Sequence, residues 1–362
     1  MKRLIFVCSL KDFHAMDWFK SAKKICNHTP YIITDSISSE GFKSLHNKND
    51  IVYKLVIIDK FLFSKMSFFG NIWRNTIKLI FLPIQAYLLK RFDKKYPNNI
   101  FFAHSMYNIW LCYLAGVKFI GAPQGSEILI RSFKSKIYKY LSRLAMKASL
   151  FITCDSKKMA KRIFQISSVQ PIVIENGIDM NLISELKLDK NSSFSRSNEI
   201  VSFRGLNPLY RIENIFQSRN LSERGKTTPI RLIYPFSQEI YKKQLLSSFT
   251  KYDHDIGRLN KKELMQEFTK YYLYISIPKS DSSPRSVYEC IFCGGVVATT
   301  KEDYYEELPN EMKERIILVN LQDKDWLDKA LEKAHLLNNK QFKFTKTTIN
   351  QFDQIYSFKK IY

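Results

Sequence analysis

Residues 274–300, YISIPKSDSSPRSVYECIFCGGVVATT, combine residue types that can bind an anion where a strand leads into a helix. An apolar run ends near Pro278, and a polar loop then leads into a helical pattern. Ser283 is the predicted N-cap of that helix and Pro284 its first residue. The first turn of a helix offers free backbone N–H groups and a positive dipole end, which suit a diphosphate. The anion-binding residues predicted here are Ser282, Ser283, Arg285 and Ser286.

Two acids accompany this loop and helix. Asp281 lies in the loop, and Glu289 lies eight residues later, roughly a turn and a half into the helix. A helix cap and a solvated glutamate would satisfy this spacing equally well. Followed by CIFCGGVVAT, however, it resembles the acid–x7–acid signature of the retaining glycosyltransferases of group 1 (family 4), which have the GT-B fold. The resemblance implies that Asp281, where the family usually has Glu, contacts donor-sugar hydroxyls and that Glu289 holds the nucleotide ribose.

The resemblance covers nearly the whole chain. SLKDFHAMDWFKSAKKI (9–25) is similar to the first-loop pattern H-x-x-x-W of one branch, which places His14 on the loop after the first strand. FFAHSMYNIWLCYLAGVKFIGAPQGSEILI (101–130) resembles the family stretch that contains H-G-S-D, with Gln124 in place of that His. A purely structural His104 and a capping Glu127 are the alternatives that the residues leave open. The acceptor-side residues implied are His14, His104, Gln124 and Glu127.

The second half begins with VSFRGLNPLYRIENIFQS (201–218), which resembles the start of the family's nucleotide domain. In the family, an Arg and a Lys six residues later grip the diphosphate. Arg204 matches that Arg, whereas Tyr210 stands at the Lys position with Arg211 beside it. The resemblance implies that Arg204, with Arg211 as the candidate second cation, stabilises the leaving group. It implies catalytic roles for His14, Arg204 and Asp281.

Short apolar runs alternate with helical patterns, which favours parallel sheets with helices on both faces. We expect an α/β chain with the GT-B architecture, two Rossmann-like, doubly wound domains facing a central cleft. Residues 1–186 form the predicted acceptor-binding domain, and the polar, Ser-rich segment 187–199 is interpreted as a linker. Residues 200–345 form the predicted nucleotide-sugar domain, and 346–362 a helical tail that packs back on the first domain. Strands are expected at 3–10, 30–36, 51–58, 99–105, 118–124, 150–156 and 171–177, and then at 200–206, 230–236, 272–278, 295–300 and 316–321.

The 362 residues carry a net charge of +23, and much of it lies in one region. Residues 51–150 contain 16 Lys and Arg against three acids, interleaved with aromatic residues. This pattern fits an anionic membrane surface, nucleic acid or a generally basic protein. Because the sequence has no nucleic-acid motif and its apolar anchors suit lipid, we favour the membrane and expect no nucleic-acid partner. The candidate membrane contacts are Lys65, Phe68, Phe69, Trp73, Arg74, Lys78, Lys90 and Arg91, with the apolar stretch Leu79–Leu89.

The sequence also predicts where the protein is located and whether it binds a metal ion. Leu79–Leu89 is too short to span a bilayer, which requires about 20 residues, so we expect a cytoplasmic protein, peripheral at the inner membrane face. Cys290 and Cys293 form a C-x-x-C pair without a second pair to complete a zinc site, and we interpret them as one apolar helix face. By the resemblance, cations and backbone amides hold the diphosphate, so that no metal ion is needed there. We therefore expect neither a metal nor a cofactor.

Taken together, the resemblance implies transfer of a sugar from a nucleotide sugar to a lipid-linked or oligosaccharide acceptor in bacterial surface polysaccharide synthesis, O-antigen or capsule. It also implies retention of configuration. One alternative on the same fold is an inverting or CMP-sugar-dependent transferase, or a sugar-nucleotide epimerase. An alternative of another class is a basic RNA- or membrane-binding module with a degenerate site.

Overall fold

The computed structural model describes residues 3–37, 44–61, 68–175, 177–188, 196–281 and 283–361. The chain divides into two compact units. The first unit comprises Met1–Gly177 and Gln354–Tyr362, and the second comprises Ile178–Asp353. Each unit is built on one sheet of parallel strands, so the α/β class predicted from the sequence is confirmed.

The first unit has a seven-stranded sheet. Its strands are β1 (Arg3–Val7), β2 (Tyr31–Thr34), β3 (Val52–Lys54), β4 (Asn99–His104), β5 (Phe119–Ala122), β6 (Phe151–Cys154) and β7 (Ile172–Val173). They lie in the order β3-β2-β1-β4-β5-β6-β7. The helices are α1 (Phe13–Ile25), α2 (Phe68–Lys95), α3 (Met106–Ala115), α4 (Ser132–Lys134), α5 (Lys136–Ala148) and α6 (Lys157–Ser167), with a π-helical turn at Glu127–Arg131.

The burial of β1 explains why its sequence is a continuous apolar run. Ile5 and Val7 point into one core with residues of α2, α3 and α6, whereas Leu4 and Phe6 point into another with residues of α1. Successive side chains of a strand face opposite sides of the sheet, and both sides are covered by helices here. The strand is therefore apolar at every position from Leu4 to Val7 rather than at alternate ones.

The second unit has a six-stranded sheet. Its strands are β8 (Ser197–Ser202), β9 (Ile230–Ile233), β10 (His254–Gly257), β11 (Tyr271–Ser276), β12 (Val297–Thr299) and β13 (Ile316–Leu318), in the order β10-β9-β8-β11-β12-β13. The helices are α7 (Met180–Leu188), α8 (Ile212–Leu221), α9 (Glu239–Leu246), α10 (Lys261–Glu267), α11 (Arg285–Phe292), α12 (Asp303–Glu307), α13 (Asn310–Lys313), α14 (Trp326–Asn338) and α15 (Lys346–Phe352). The strand β10 is absent from the expected elements because HDIG is short and polar.

The division of the chain differs from the predicted boundary at residue 186. Helix α7 belongs to the second unit, where Ile183 and Leu186 are buried in the same core as Phe352 of α15. The predicted linker 187–199 also overlaps elements, since α7 ends at Leu188 and β8 begins at Ser197. Apolar periodicity shows that a helix buries one face, but it does not show which core receives that face.

The predicted tail 346–362 divides between the two units. Helix α15 packs in the second unit, and a last helix, α16 (Gln354–Lys359), packs in the first. In α16, Phe358 is fully buried beside Phe6 and Trp18. The tail was expected to be helical and to pack on the first unit. This is correct for α16 and wrong for α15, which packs in the second unit.

The connections reverse direction between β1 and β4 in the first sheet and between β8 and β11 in the second. In open parallel sheets, ligands bind outside the carboxyl ends of the strands at such a switch point. These two edges are therefore the places at which polar side chains are expected to meet a ligand.

Candidate functional site

At the switch point of the second sheet, Arg204 follows β8 and is tied to the segment after β11. Its Nη2 donates to Asp281 Oδ2 at 2.5 Å, and its Nη1 donates to Ser286 Oγ at 3.0 Å. Its guanidinium also lies over the Tyr210 ring, 4.7 Å from the centroid. Burial lowers the pKa of Arg204, but the Asp281 carboxylate, together with Tyr210 and Tyr304, raises it, and the net pKa is above its usual value. The structure thus brings together three residues predicted from distant parts of the sequence.

Helix α11 begins one residue later than predicted. Pro284 is the N-cap, with ψ of 80°, and Arg285 is the first helical residue. The expected cap at Ser283 is wrong, because the N-cap position is that of Pro284, whose backbone is not yet helical. Ser282 lies outside the described residues. In the first turn of α11, the backbone N–H groups of Arg285 and Val287 donate to Ser283 O and Pro284 O at 3.0 and 2.8 Å, and the N–H of Ser286 lies at the edge where Arg204 does.

Glu289 is buried on the second turn of α11, with 6% of its surface exposed. Its Oε1 accepts a hydrogen bond from Arg285 Nε at 3.0 Å and lies 3.5 Å from Lys261 Nζ. A solvated glutamate, which the spacing alone allowed, does not describe this residue. Lys261 was missed from the sequence because it follows the unpredicted strand β10, where Asn260 and Glu263 form a capping box at the start of α10.

Arg211 connects the ends of neighbouring strands. Its backbone is left-handed, with φ of 50°. Its Nε donates to Ile277 O at 2.7 Å, and its Nη2 donates to Pro278 O and, at 3.2 Å, to Thr300 Oγ1. Two of its nitrogens are therefore engaged with the protein, and a role toward a diphosphate stays a prediction.

One acid at this edge was not expected from the sequence. Glu302, half-buried after β12, accepts a hydrogen bond from the backbone N–H of Asp281, and burial raises the pKa of its carboxyl. The sequence offers only a general indication of Glu302: a carboxylate shortly after a buried strand is a candidate for the carboxyl edge of the sheet.

At the switch point of the first sheet, Asp12 joins three elements. Its Oδ1 caps α1 by accepting from the N–H groups of His14 and Ala15 at 3.0 and 3.3 Å. Its Oδ2 accepts from Gln124 Nε2 at 2.7 Å and lies 3.4 Å from His104 Nδ1. His104 ends β4 and Gln124 follows β5, so the edge of the sheet brings these side chains together. Asp12 was missed as a site residue because it lies 92 positions from His104 in the chain.

Glu127 is buried and fixes two backbone groups. Its Oε2 accepts from Met106 N at 2.7 Å and from Gln124 N at 2.9 Å. Burial raises the pKa of its carboxyl, and these two hydrogen bonds oppose the rise. Because Met106 is the first residue of α3, the carboxylate caps that helix, and its bond to Gln124 N also holds the start of the helical segment that contains Glu127.

His14 lies on α1 and not on the loop that precedes it. The helix begins at Phe13 because the Asp12 carboxylate satisfies its first N–H groups, and the His14 side chain is exposed. The prediction of a loop position is therefore wrong. The His14 imidazole is close enough to Asp12 to help lower the pKa of that carboxyl.

The arrangement as a whole favours binding of a phosphorylated ligand on the second unit and of hydroxyl-bearing groups on the first. Among the described residues, no group of three or more His, Cys, Asp or Glu side chains could hold a metal ion. Cys290 and Cys293 are buried and are not joined in a disulfide.

No protein-family model and no curated protein sequence matches this chain. The fold is similar to that of Anabaena HepE in complex with UDP, at 14% identity and a TM-score of 0.68 over 100% of this chain and 98% of that one. It is similar to sucrose-phosphate synthase from Thermosynechococcus elongatus, at 10% identity and a TM-score of 0.69 over 100% and 97%. A third similar structure is an α,α-trehalose-phosphate synthase (UDP-forming) from Burkholderia vietnamiensis, at 12% identity and a TM-score of 0.67 over 100% and 96%. The predicted fold is thereby confirmed, and the chain has the GT-B fold of two Rossmann-like units.

Proposed function

We propose that this protein is a glycosyltransferase that takes its sugar from a nucleotide sugar bound on the second unit. The observation that carries the proposal is the Arg204 guanidinium, fixed by Asp281 and Ser286 beside the start of α11. When the bond between the anomeric carbon and the diphosphate oxygen breaks, negative charge grows on the diphosphate. A cation held in place beside a helix N-terminus stabilises that charge without having to reorganise.

The similar structures support a nucleotide-sugar donor. HepE has been solved with UDP and with UDP-glucose, and the trehalose-phosphate synthase is UDP-forming. By the resemblance, Glu289 holds the ribose and Asp281 the donor-sugar hydroxyls. The ion pairs of Glu289 with Arg285 and Lys261 would fix its carboxylate in one orientation.

For the acceptor we propose a lipid-linked glycan of bacterial surface polysaccharide synthesis, met at the cytoplasmic face of an anionic membrane. Helix α5 supports this proposal because exposed apolar residues alternate with exposed cations along it. Its Ile137 side chain is 74% exposed, and Tyr140 is exposed one turn later. The exposed cations of this region are Lys134, Lys136, Lys139, Arg143 and Lys147. Such a surface combines apolar anchors with charge for anionic lipid headgroups.

Helix α2 presents a second exposed apolar stripe, formed by Ile80, Ile84 and Tyr87, next to exposed Lys90 and Arg91. Lys78 does not belong to it, since its Nζ lies 3.9 Å from Asp35 Oδ2 and 4.3 Å from the centroid of the Tyr107 ring. Lys65 lies outside the described residues, as do the side chains of Phe68, Phe69 and Arg74. Among the helices that the structure describes, none combines the length and the apolar character needed to cross a bilayer.

A panel of nucleotide sugars tests the donor half of the proposal. We expect the enzyme to hydrolyse one of them slowly without an acceptor and to transfer its sugar when a lipid-linked acceptor is added. The anomeric configuration of the product distinguishes a retaining from an inverting transferase, and a changed sugar nucleotide would indicate an epimerase. Salt-sensitive RNA binding without any turnover would contradict the proposal and favour a binding module.

Vesicle flotation tests the membrane half. We expect binding to vesicles of phosphatidylglycerol and phosphatidylcholine, weaker binding at high salt, and none to phosphatidylcholine alone. The double variant Ile137→Ser/Tyr140→Ser should lose most of this binding. The matched control is Leu221→Ser/Ile240→Ser, which removes two equally exposed apolar residues from the second unit. Equal binding to both kinds of vesicle, or equal loss in both variants, would exclude α5 as the membrane contact.

A further inference from the structure

At the edge of the first sheet, a buried histidine lies against a carboxylate that the donor chemistry does not use. The His104 side chain is buried, and its Nδ1 lies 3.4 Å from Asp12 Oδ2. The two residues come from opposite sides of the switch point, Asp12 after β1 and His104 at the end of β4. Their meeting is therefore a product of the strand order and not of local sequence.

The Asp12 carboxylate is held from several directions at once. The start of α1 occupies Oδ1 through two backbone N–H groups, and the Gln124 amide donates to Oδ2. Hydrogen bonds of this kind stabilise the charged form of a carboxylate. Since neither oxygen is available for a proton without loss of a hydrogen bond, Asp12 is suited to hold a charge and unsuited to act as a base.

The backbone beside His104 is also constrained. Ser105 has φ of 84°, a conformation that residues other than glycine rarely adopt. Asn108 Nδ2 donates to His104 O at 2.6 Å and to Ser105 Oγ at 3.2 Å. Strained backbone persists only where its surroundings fix it, and such positions concentrate at functional sites. The structure thus fixes His104 through its backbone as well as through Asp12.

We infer that Asp12 is a positioning residue that holds His104 as a doubly protonated imidazolium. In that form both ring nitrogens are N–H groups. The nitrogen remote from Asp12 would then donate a hydrogen bond to an oxygen of the acceptor-side substrate and would not accept a proton from it. His104 would orient the acceptor, and proton removal would fall to another group. This inference rests on the proposed function for the substrate, but the charge state of His104 does not depend on it.

The electrostatics of the neighbouring groups agree with this assignment. Burial lowers the pKa of His104, but Asp12, and then Glu127, raise it to a net value above the usual range. Burial raises the pKa of Asp12, but His104 and then His14 lower it well below the usual range. Burial raises the pKa of the Glu127 carboxyl, and the hydrogen bonds from Gln124 and Met106, and then Arg131, oppose that rise. The other titratable groups near the pair are Cys8, a buried thiol, and Asp35.

The test compares the full-length protein with Asp12→Asn and Asp12→Ser. Asn and Ser are both good N-cap residues, so both variants keep the cap of α1. Both lose the negative charge together with the Oδ2 oxygen that accepts from Gln124. Thermal melts of both variants establish that they fold. The matched control is Asp17→Asn, which neutralises a carboxylate on the same helix whose ion pair, with Lys20 at 3.7 Å, is a surface contact.

The first readout is the pKa of His104, measured by NMR titration of the histidine Cε1–H signals and assigned with His104→Gln. Removal of an opposite charge at this distance should lower the His104 pKa by about 1–3 units, and Asp17→Asn should not move it. An unchanged pKa in both Asp12 variants would overturn the inference.

The second readout is the pH dependence of kcat, measured with the nucleotide sugar that the donor panel identifies as a substrate. The donated hydrogen bond is lost as the pH rises through the pKa of His104, so the alkaline fall of kcat should move to lower pH in Asp12→Asn. The KM for the nucleotide sugar should stay within about twofold, because the donor binds on the other unit. A lowered His104 pKa with an unmoved kcat profile would show that Asp12 has only a structural role. If the wild-type protein turns over no nucleotide sugar, the proposed function fails, and the titration still decides the charge state of His104.

Discussion

The switch-point edges of the two sheets use their carboxylates in opposite ways. In the second unit, carboxylates pair with side-chain cations, Asp281 with Arg204 and Glu289 with Arg285. In the first unit, the carboxylates of Asp12 and Glu127 accept hydrogen bonds mainly from backbone N–H groups. The same topology therefore supports one edge that displays fixed arginine cations and another at which we infer that His104 carries a positive charge.

This difference indicates which ligand each edge suits. A diphosphate needs cations whose direction is set in advance, and arginine has five N–H donors, so the bond to Asp281 does not prevent Arg204 from binding a phosphate oxygen. A sugar hydroxyl needs neutral donors and acceptors, such as Gln124 with the Asp12–His104 pair. Under the proposed function the donor binds on the second unit and the acceptor on the first, so substitutions at each edge should affect different kinetic constants.

The largest effect is expected for Arg204→Ala, which removes the cation that would stabilise the leaving group. Loss of one preorganised donor to a transition-state charge typically costs a factor on the order of 100–1,000 in rate, so kcat/KM should fall by at least about 100-fold. Initial rates with the donor and acceptor measure it. Arg224→Ala is the matched control, because Arg224 is exposed and pairs only loosely with Glu332, at 3.9 Å. Equal rates for the wild type and both variants would contradict the assignment of the second unit.

A smaller effect is expected for Glu289→Gln, which keeps the shape of the side chain and removes its charge. A hydrogen bond to a charged group contributes roughly 1.5–3 kcal/mol, so the donor KM should rise or kcat/KM should fall by a factor on the order of 10–100. The substitution also leaves Arg285 and Lys261 without this carboxylate. Glu332→Gln, on the surface of the same unit, is the control. An acceptor KM that changes while the donor KM does not would move Glu289 out of the donor site.

Much of the fold was predictable because its signal is local. Each strand of the first sheet is a short apolar run, and the loop before α11 has the composition of an anion site. Elements whose identity depends on distant partners were not predictable. The apolar face of α7 could have packed in either unit. The strand β10 has no apolar run, so neither the strand nor the position of Lys261 after it was evident from the sequence.

The candidate site divides in the same way. Asp281, Glu289 and Arg204 could be named from a motif, since each lies in a stretch with a recognisable pattern. Asp12 could not, because its importance comes from the meeting of β1, β4 and β5 at one edge. Polar residues shortly after adjacent parallel strands converge, and this rule points to Asp12 once the neighbouring strands are known. Applying that rule requires the strand order, which no local pattern reports.

The smallest kinetic effect is expected for His14→Ala, and it separates the two edges most cleanly. His14 is exposed on the first turn of α1 and contributes its backbone N–H, which alanine retains, to the bond with Asp12. The substitution therefore removes the imidazole alone. If that ring donates one hydrogen bond to the acceptor, its loss costs about 1 kcal/mol and lowers kcat roughly five- to tenfold. Binding of the nucleoside diphosphate, measured by calorimetry, should not change, because His14 belongs to the first unit. His254→Ala, an exposed histidine of the second unit, should leave both quantities unchanged. Parallel losses of nucleotide affinity and turnover in His14→Ala would place His14 with the donor and would remove the division of labour between the two edges.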